Sequence, residues 1–371
     1  TLKDLIDAGI PFDESDLNNS GNNVNVNYET HFFIGVHIMT TISDIAKQAN
    51  VSRTLVSRVL NNKPGVSPEN REKILNIMKE THYIPSGLAR SLVMQKTNAI
   101  GVVMDELCNQ FFFKLIAGLQ DKGEELGYHV LFCSSQKQND TKMKYVDYFA
   151  QGRADGIISY GSNLDNTGLF RYIADLPVPC VFIEGGPDDQ RASCIRIDNH
   201  LGAYRAAEHL ILQGRKKLLH VTGDMNYTAS LDRFNGFVHA MQDYHIPITA
   251  DSIIYADFFE ESAYQQMKQR IATGSLPDAV FAGADKTAYG VLRALMEAGI
   301  SVPEDVAVIG FDDDTPDSRD ILFPGLSTMR QPLYEMGQAA IELLVSAIEN
   351  PKAESETRTF EPELILRDTC K

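Results

Sequence analysis

Apolar residues in the stretch Thr41 to Asn61 (TISDIAKQANVSRTLVSRVLN) recur at helical spacing in two short blocks. Ile42, Ile45, Ala46 and Ala49 make one i, i+3, i+4 face; after Val51, the residues Leu55, Val56, Val59 and Leu60 make a second. Thr41 and Ser52 stand just before the two blocks, where a hydroxyl caps a helix start. Asn50 falls in the turn, where left-handed backbone must be tolerated. Helices this short need packing partners. A third pattern supplies one: Ser67-Pro68, a cap and a first-turn proline, opens a helix through Ile74, Ile77 and Met78 to about Thr81. Left outside is a polar face on the second helix: Arg53, Thr54, Ser57, Arg58 and Asn61. Two readings fit that face. One is a helix-turn-helix whose second helix enters the DNA major groove; the other is a helical hairpin with a solvated Arg/Ser surface.

Pro85 breaks the chain, and Ser86 can cap a further short helix, GLARSLVM. From Ala99 the period changes. Short apolar runs (AIGVVM, HVLFCS, DGIISY, PCVFIE, then KLLHVTG, SIIYAD, AVFAGA, VAVIGFD) alternate with helical segments such as FFKLIAGLQDKGEELG and AAEHLILQG. Alternation on this scale predicts two parallel sheets joined by right-handed crossovers. Unbroken apolar strands suit sheets covered on both faces. The first set ends near Arg196 and the second begins near Leu218; LSTMRQP, a long helix from Tyr334 to Glu349 and the strand ELILR follow. The expected fold class is an α-helical helix-turn-helix headpiece plus an α/β body of two parallel-sheet lobes.

Such a body binds ligand at the carboxyl ends of its strands. Four candidates collect there: Glu184 ends VFIE, Asp285 follows FAGA, Asp312 ends VIGFD, and Arg233 lies in SLDRFNGF. Each alone reads more readily as a solvated loop charge. Together they offer acceptors and a forked donor, which suits a polyhydroxylated ligand.

Charge is unevenly spread. Residues 39–98 carry nine Lys/Arg against four Asp/Glu, whereas residues 99–371 carry 24 against 40. A small basic module on an acidic body fits a DNA reader whose body stays off the DNA, although an excess of five over sixty residues also arises by chance. The five cysteines are scattered without metal-ligand spacing and read as reduced thiols. No run approaches the ~18 apolar residues of a membrane helix, and no secretory signal pattern opens the chain. Dinucleotide, P-loop and H-E-x-x-H motifs are missing, so no enzyme reading has motif support and no cofactor is expected. Residues 1–38, acidic and Asn-rich, do not match the rest. They are expected to be a disordered extension upstream of a natural start at Met39; a functional acidic arm is the alternative.

From about residue 40 onward the chain resembles the lactose-repressor (LacI/GalR) family of bacterial transcription regulators. Thr41 to Asn61, VSPENREKI (Val66 to Ile74) and YIPSGLARSL (Tyr83 to Leu92) carry the resemblance, followed by most of the remainder in the family's order. It implies a headpiece at 39–84, a hinge helix and linker at 85–98, and a periplasmic-binding-protein-like body at 99–371. Within that body, one lobe would be about 99–196 and 327–355, the other about 197–326 and 356–371. It implies a DNA-binding set of Ser52, Arg53, Thr54, Ser57, Arg58, Asn61, Ala89 and Leu92, with Leu92 as a minor-groove wedge; a linker helix packed on the body is the other reading of Leu92. Arg233 matches the family's effector-holding arginine in R-x-x-G-F, and Asp312 the aspartate of G-[FY]-D-D. Glu184, Asp285, Phe111, Phe112 and Phe258 complete the implied effector set, with simple core packing as the alternative for Phe258. Implied partners are a pseudo-palindromic double-stranded operator, a small carbohydrate effector and a second copy of the chain, as homodimer or tetramer. The implied place is the bacterial cytoplasm, at the nucleoid. Two departures stand out: Leu55 replaces a usual Thr whose hydroxyl touches phosphate, and Ala284 replaces a usual Asn. A solute-binding protein serving a sugar transporter remains the rival reading.

Overall fold

The computed structural model describes residues 40–83, 96–161, 163–187, 191–314 and 323–370. The expected extension at 1–38 and the expected hinge, with Ala89 and Leu92, lie outside them. The chain divides into two compact units, Thr1–Ser86 and Gly87–Lys371.

In the first unit three helices follow the sequence pattern: α1 (Ile42–Ala49), α2 (Arg53–Leu60) and α3 (Pro68–Glu80). Thr41 and Asp44 form a reciprocal capping box at the start of α1, and Ser52 and Ser67 cap α2 and α3. Asn50 terminates α1 at φ 53°, the left-handed conformation that a short polar side chain tolerates. Ile45, Ala46, Ala49, Val56, Val59 and Ile74 are fully buried together, with Leu55, Ile77 and Tyr83 packed around them. Burial of each larger apolar side chain contributes roughly 1.5–3 kcal/mol, so this small core depends on its caps.

The second unit holds two six-stranded sheets. The first contains β1 (Ala99–Met104), β2 (His129–Ser134), β3 (Gly156–Tyr160), β4 (Cys180–Ile183), β5 (Ser193–Ile197) and β11 (Thr357–Phe360), in the order β11-β5-β4-β3-β1-β2, all parallel. The second contains β6 (Leu218–Val221), β7 (Ile253–Ile254), β8 (Ala279–Ala282), β9 (Ala307–Asp312), β10 (Ser327–Arg330) and β12 (Glu363–Ile365), in the order β12-β10-β9-β8-β6-β7. It is parallel except for β12, which runs antiparallel to β10. Helices α4 (Phe113–Glu125), α5 (Asn139–Ala150), α6 (Thr167–Ala174) and α11 (Leu333–Glu349) belong to the first lobe; α7 (Asn199–Leu212), α8 (Thr228–Asp243), α9 (Glu260–Ala272) and α10 (Asp285–Glu297) belong to the second. The central strands are buried along their whole length, as their unbroken apolar runs require.

The expected lobe boundaries shift at the carboxyl-terminal end. Ser327–Arg330 pairs with β9, so it lies in the second lobe rather than the first. Thr357–Phe360 pairs with β5, so it lies in the first rather than the second. Both strands are only four residues long and mix polar with apolar positions, and apolar period alone does not tell which sheet edge receives them. The chain therefore crosses between lobes three times: after Ile197, after Arg330 and after Phe360. A backbone hydrogen bond from Leu164 N to Asn226 O (2.9 Å) and a bridge between Asn163 and Tyr227 tie the lobes together elsewhere.

Candidate functional site

On the headpiece, Ser52, Arg53, Thr54, Arg58 and Asn61 are exposed and Ser57 is half-buried. The turn that holds Asn50 and the cap at Ser52 aim the first turn of α2 outward. Asn61 folds back on its own helix, donating from Nδ2 to the Ser57 carbonyl oxygen at 2.8 Å. Arg58 lies against the backbone of Gly65, where an added Cβ would sit 3.6 Å from its guanidinium. Leu55 is half-buried against the headpiece core, which answers the first departure noted above: the position is used for packing.

In the body, a cavity of about 200 Å³ lies between the lobes at the carboxyl ends of both sheets. Phe111, Phe112, Glu184, Arg233, Phe258 and Asp312 all line it. Phe111 follows a short turn in which Asn109 Oδ1 accepts from its backbone N–H at 3.2 Å. Phe112 meets Phe111 and Tyr160 edge to face, with ring centroids 5.0 and 4.9 Å apart. On the opposite wall Phe258 meets Tyr227 edge to face at 5.7 Å. The cavity thus has an aromatic wall on each lobe.

Arg233 comes from the second turn of α8, not from a strand end, and is only 5 % exposed. Its Nε donates to Asn199 Oδ1 at 2.8 Å and its Nη1 to the Gly283 carbonyl oxygen. Nη1 also stands 3.4 Å from Asp312 Oδ1, and the guanidinium lies 3.7 Å over the Phe311 ring. Asn199 in turn donates to Glu184 Oε2 at 3.3 Å, and Ile197 N donates to Glu184 Oε1 at 3.2 Å. Gln331 Nε2 donates to Asp312 Oδ1 at 2.7 Å. A continuous polar chain therefore runs from Glu184 through Asn199 and Arg233 to Asp312 and Gln331.

Burial pushes the carboxyls of Glu184 and Asp312 up to about 7, against the opposing pull of Arg233. Their backbone is held in unusual positions as well: φ is 70° at Glu184 and 123° at Asp312. Side chains rarely adopt such values, and each costs about 1–3 kcal/mol. Backbone strain and perturbed acidity meeting at one cavity make it the candidate binding site.

Asp285 does not join them. It is 2 % exposed at the start of α10, where it accepts from Thr328 Oγ1 (2.6 Å) and from Asp314 N (2.9 Å). Burial, then the nearby charge of Asp312, raises its pKa well above the ordinary carboxyl value. It braces the loop that carries Asp312 from behind the wall; Ala284, beside it, lines the cavity instead. Sequence reasoning missed Asp105, Tyr160, Asn199, Tyr227 and Gln331. Asp105 and Tyr160 close β1 and β3 and follow the strand-end rule that picked out Glu184. Asn199 and Gln331 sit at lobe crossovers, for which the sequence carries no signal.

A wider open trough of about 1630 Å³ lies at the amino ends of the first sheet, bordered by Thr97, Asp155, Cys180 and Ser193. It gathers no converging buried charges, and ligands of such sheets bind at the other end. Among the described residues no His/Cys/Asp/Glu cluster has the geometry of a metal site, and no helix is long and apolar enough to cross a membrane.

Comparison with known proteins bears on both sites. Residues 41–86 match the model of bacterial regulatory proteins, lacI family, and residues 207–370 match that of the periplasmic binding protein-like domain. The ribose operon repressor of Halalkalibacterium halodurans is 31% identical over 333 residues, covering 90% of this chain and 98% of that protein. The HTH-type transcriptional repressor PurR of Actinobacillus pleuropneumoniae is 31% identical over 337 residues, covering 90% and 99%. Among solved structures, the lac repressor dimer bound to operator and the anti-inducer ONPF superposes with a TM-score of 0.78 at 24% identity, covering 89% of this chain and 98% of that one.

Proposed function

The chain belongs to the LacI family of bacterial regulatory proteins, and from that premise we propose that it is a transcriptional repressor whose grip on operator DNA is set by a small carbohydrate bound between its lobes. The observation that carries this reading is the presence, in one chain, of a capped helix with an exposed Arg/Ser/Thr face and an Arg233–Asp312 pair lining a cavity between the lobes. Arg53 and Thr54 reach base edges from the first turn of α2. Arg58 reads guanine, a contact worth about 1–3 kcal/mol of discrimination when bidentate. Ser52, Ser57 and Asn61 hold phosphates and set register. Ala89 and Leu92 extend the contact into the minor groove. A homodimer presents two such headpieces to a pseudo-palindromic operator, at the bacterial nucleoid; pairing of dimers gives a tetramer.

In the cavity Arg233 and Asp312 hold the effector's hydroxyls, Glu184 accepts from the first lobe, and Phe111, Phe112 and Phe258 cover its apolar faces. The effector acts only through its differential affinity for two arrangements of the lobes. A solute-binding protein would need neither the capped headpiece nor its basic charge. A gel shift with DNA from upstream of the chain's own gene, at ~50 mM salt where phosphate contacts are strongest, is the decisive experiment. A retarded fragment that an added sugar alters supports the reading; failure of every genomic fragment to bind overturns it.

A further inference from the structure

On the first-lobe wall of the same cavity stands Asp105, directly after β1. Beneath it lies Lys142 of α5, 1% exposed. Lys142 Nζ is 2.7 Å from Asp105 Oδ1 and donates to the Tyr160 carbonyl oxygen at 2.7 Å. Ser135 Oγ donates to the same Oδ1 at 3.2 Å. Gly161 makes room for the ammonium: a Cβ there would come within 2.8 Å of Nζ. A fully buried lysine is costly unless it is paired and hydrogen-bonded, and here both conditions are met. All of that investment fixes one oxygen of Asp105. No described residue donates to the other, Oδ2.

Across the cavity Asp312 repeats the arrangement. Gln331 and Arg233 both address its Oδ1, and no described residue donates to its Oδ2. The cations near the wall are already engaged. Lys137 pairs with Glu106 at 3.1 Å, Arg233 is held by Asn199, Gly283 and Asp312, and Lys142 is held by Asp105. Lys286 is the exception among the described residues, and it shares its wall with Asp312 and Asp314. A phosphoryl group reaching Lys286 would lie among carboxylates, with like charges opposed in a poorly solvated space.

We propose that the cavity takes an unphosphorylated, hydroxyl-rich ligand, with Asp105 as a specificity-determining acceptor and Lys142 as the residue that positions it. This rests on the carbohydrate reading above and narrows it. Ligand hydroxyls donate to Asp105 Oδ2 from one lobe and to Asp312 Oδ2 from the other; sugar phosphates and sugar acids are refused by charge.

The test is calorimetric titration of the full chain with neutral pentoses and hexoses, among them D-ribose and D-glucose, and with ribose 5-phosphate and glucose 6-phosphate. The expected result is that a neutral sugar binds and its phosphate ester binds at least ~100-fold more weakly, a ratio that ~2.7 kcal/mol of charge opposition produces. A phosphate ester that binds as tightly as its parent overturns this inference and leaves the carbohydrate reading standing. Failure of every sugar and sugar phosphate to bind overturns both. Asp105→Asn should weaken the neutral sugar about 10-fold or more, as loss of a charged acceptor does, and narrow the discrimination against phosphate. Unchanged discrimination removes Asp105 from its role. Lys142→Met strands a buried carboxylate and should lower the melting temperature. The double variant Asp105→Asn/Lys142→Met should recover stability without recovering affinity; wild-type affinity in that variant would reduce the pair to packing.

Discussion

Replacing Arg233 with methionine keeps most of the side-chain volume and removes the charge. The variant loses the bond to Asn199 Oδ1, the bond to Gly283 O, the 3.4 Å approach to Asp312 and the stacking over Phe311. Removing one partner of a buried ion pair costs about 3–5 kcal/mol. The bonds are not added on top, because they share that one charge. The cost depends on pH. Glu184 and Asp312 already titrate near 7 because burial raises them, and Arg233 is what holds them down. Without it both rise further. Well below pH 7 both carboxyls are protonated in either protein, and little electrostatic penalty remains. At pH 8 the wild type ionises them against Arg233, whereas the variant must bury a lone charge or keep its protons at about 1.4 kcal/mol per pH unit per group. The expected destabilisation is therefore about 3–5 kcal/mol at pH 8, shrinking by about 1–3 kcal/mol at pH 6. Because the chain has no tryptophan, urea unfolding is best followed by circular dichroism. A penalty that is the same at both pH values would refute the electrostatic account. Operator retardation without effector should survive in Arg233→Met while its response to the sugar is lost; a retained response would move the effector site elsewhere.

Three further outcomes follow from the geometry. Thr41→Ala breaks the capping box with Asp44 and should cost the headpiece about 1 kcal/mol, read as an earlier loss of helical signal and a several-fold weaker operator complex. Arg58→Ala should weaken specific operator binding about 10-fold or more while leaving binding to random DNA nearly unchanged; equal loss on both would make it a phosphate contact. Gly118→Ala drives a Cβ into the Tyr334 carbonyl oxygen where α4 crosses α11, so the first lobe should lose about 1–3 kcal/mol, seen as a lower denaturation midpoint with the second lobe's packing intact.

The headpiece was legible in the sequence nearly residue by residue, because its determinants are local. Caps, a left-handed turn residue and a 3.6-residue apolar period act over three or four positions, and Thr41, Asn50, Ser52 and Ser67-Pro68 do what their types imply. The alternating body was legible for a related reason: strands buried on both faces need unbroken apolar runs. The edges of the sheets were not. Ser327–Arg330 and Thr357–Phe360 each carry four residues, and their choice of sheet is made by crossovers that no short-range pattern records. The cavity was half legible. Glu184 and Asp312 announce themselves as charges ending apolar strands, but so does Asp285, which turned out to face Thr328 and the Asp314 amide instead of the cavity. Which way a carboxyl turns at a strand end is settled by tertiary partners. Lys142 illustrates the limit: in the sequence it is one more lysine on an amphipathic helix, and only the fold places it under Asp105.

On the proposed reading, the same partners give a ligand in so small a space a means to act on whole lobes. Glu184 is bonded to Ile197 and Asn199, which flank the first crossover between lobes. Asp312 is bonded to Gln331, which opens the second. The carboxyls proposed to meet the ligand are thus bonded to residues at two of the three connecting segments. On that reading a hydroxyl that engages either carboxyl competes with, or reinforces, a bond to a crossover, and binding and lobe geometry would share the same few atoms. Each 1.4 kcal/mol by which those bonds differ between two lobe arrangements shifts their populations tenfold. Two hydrogen bonds to charged groups, at about 1.5–3 kcal/mol each, are enough to turn a minor arrangement into the dominant one, and no long chain of intermediate residues is needed to carry the effect.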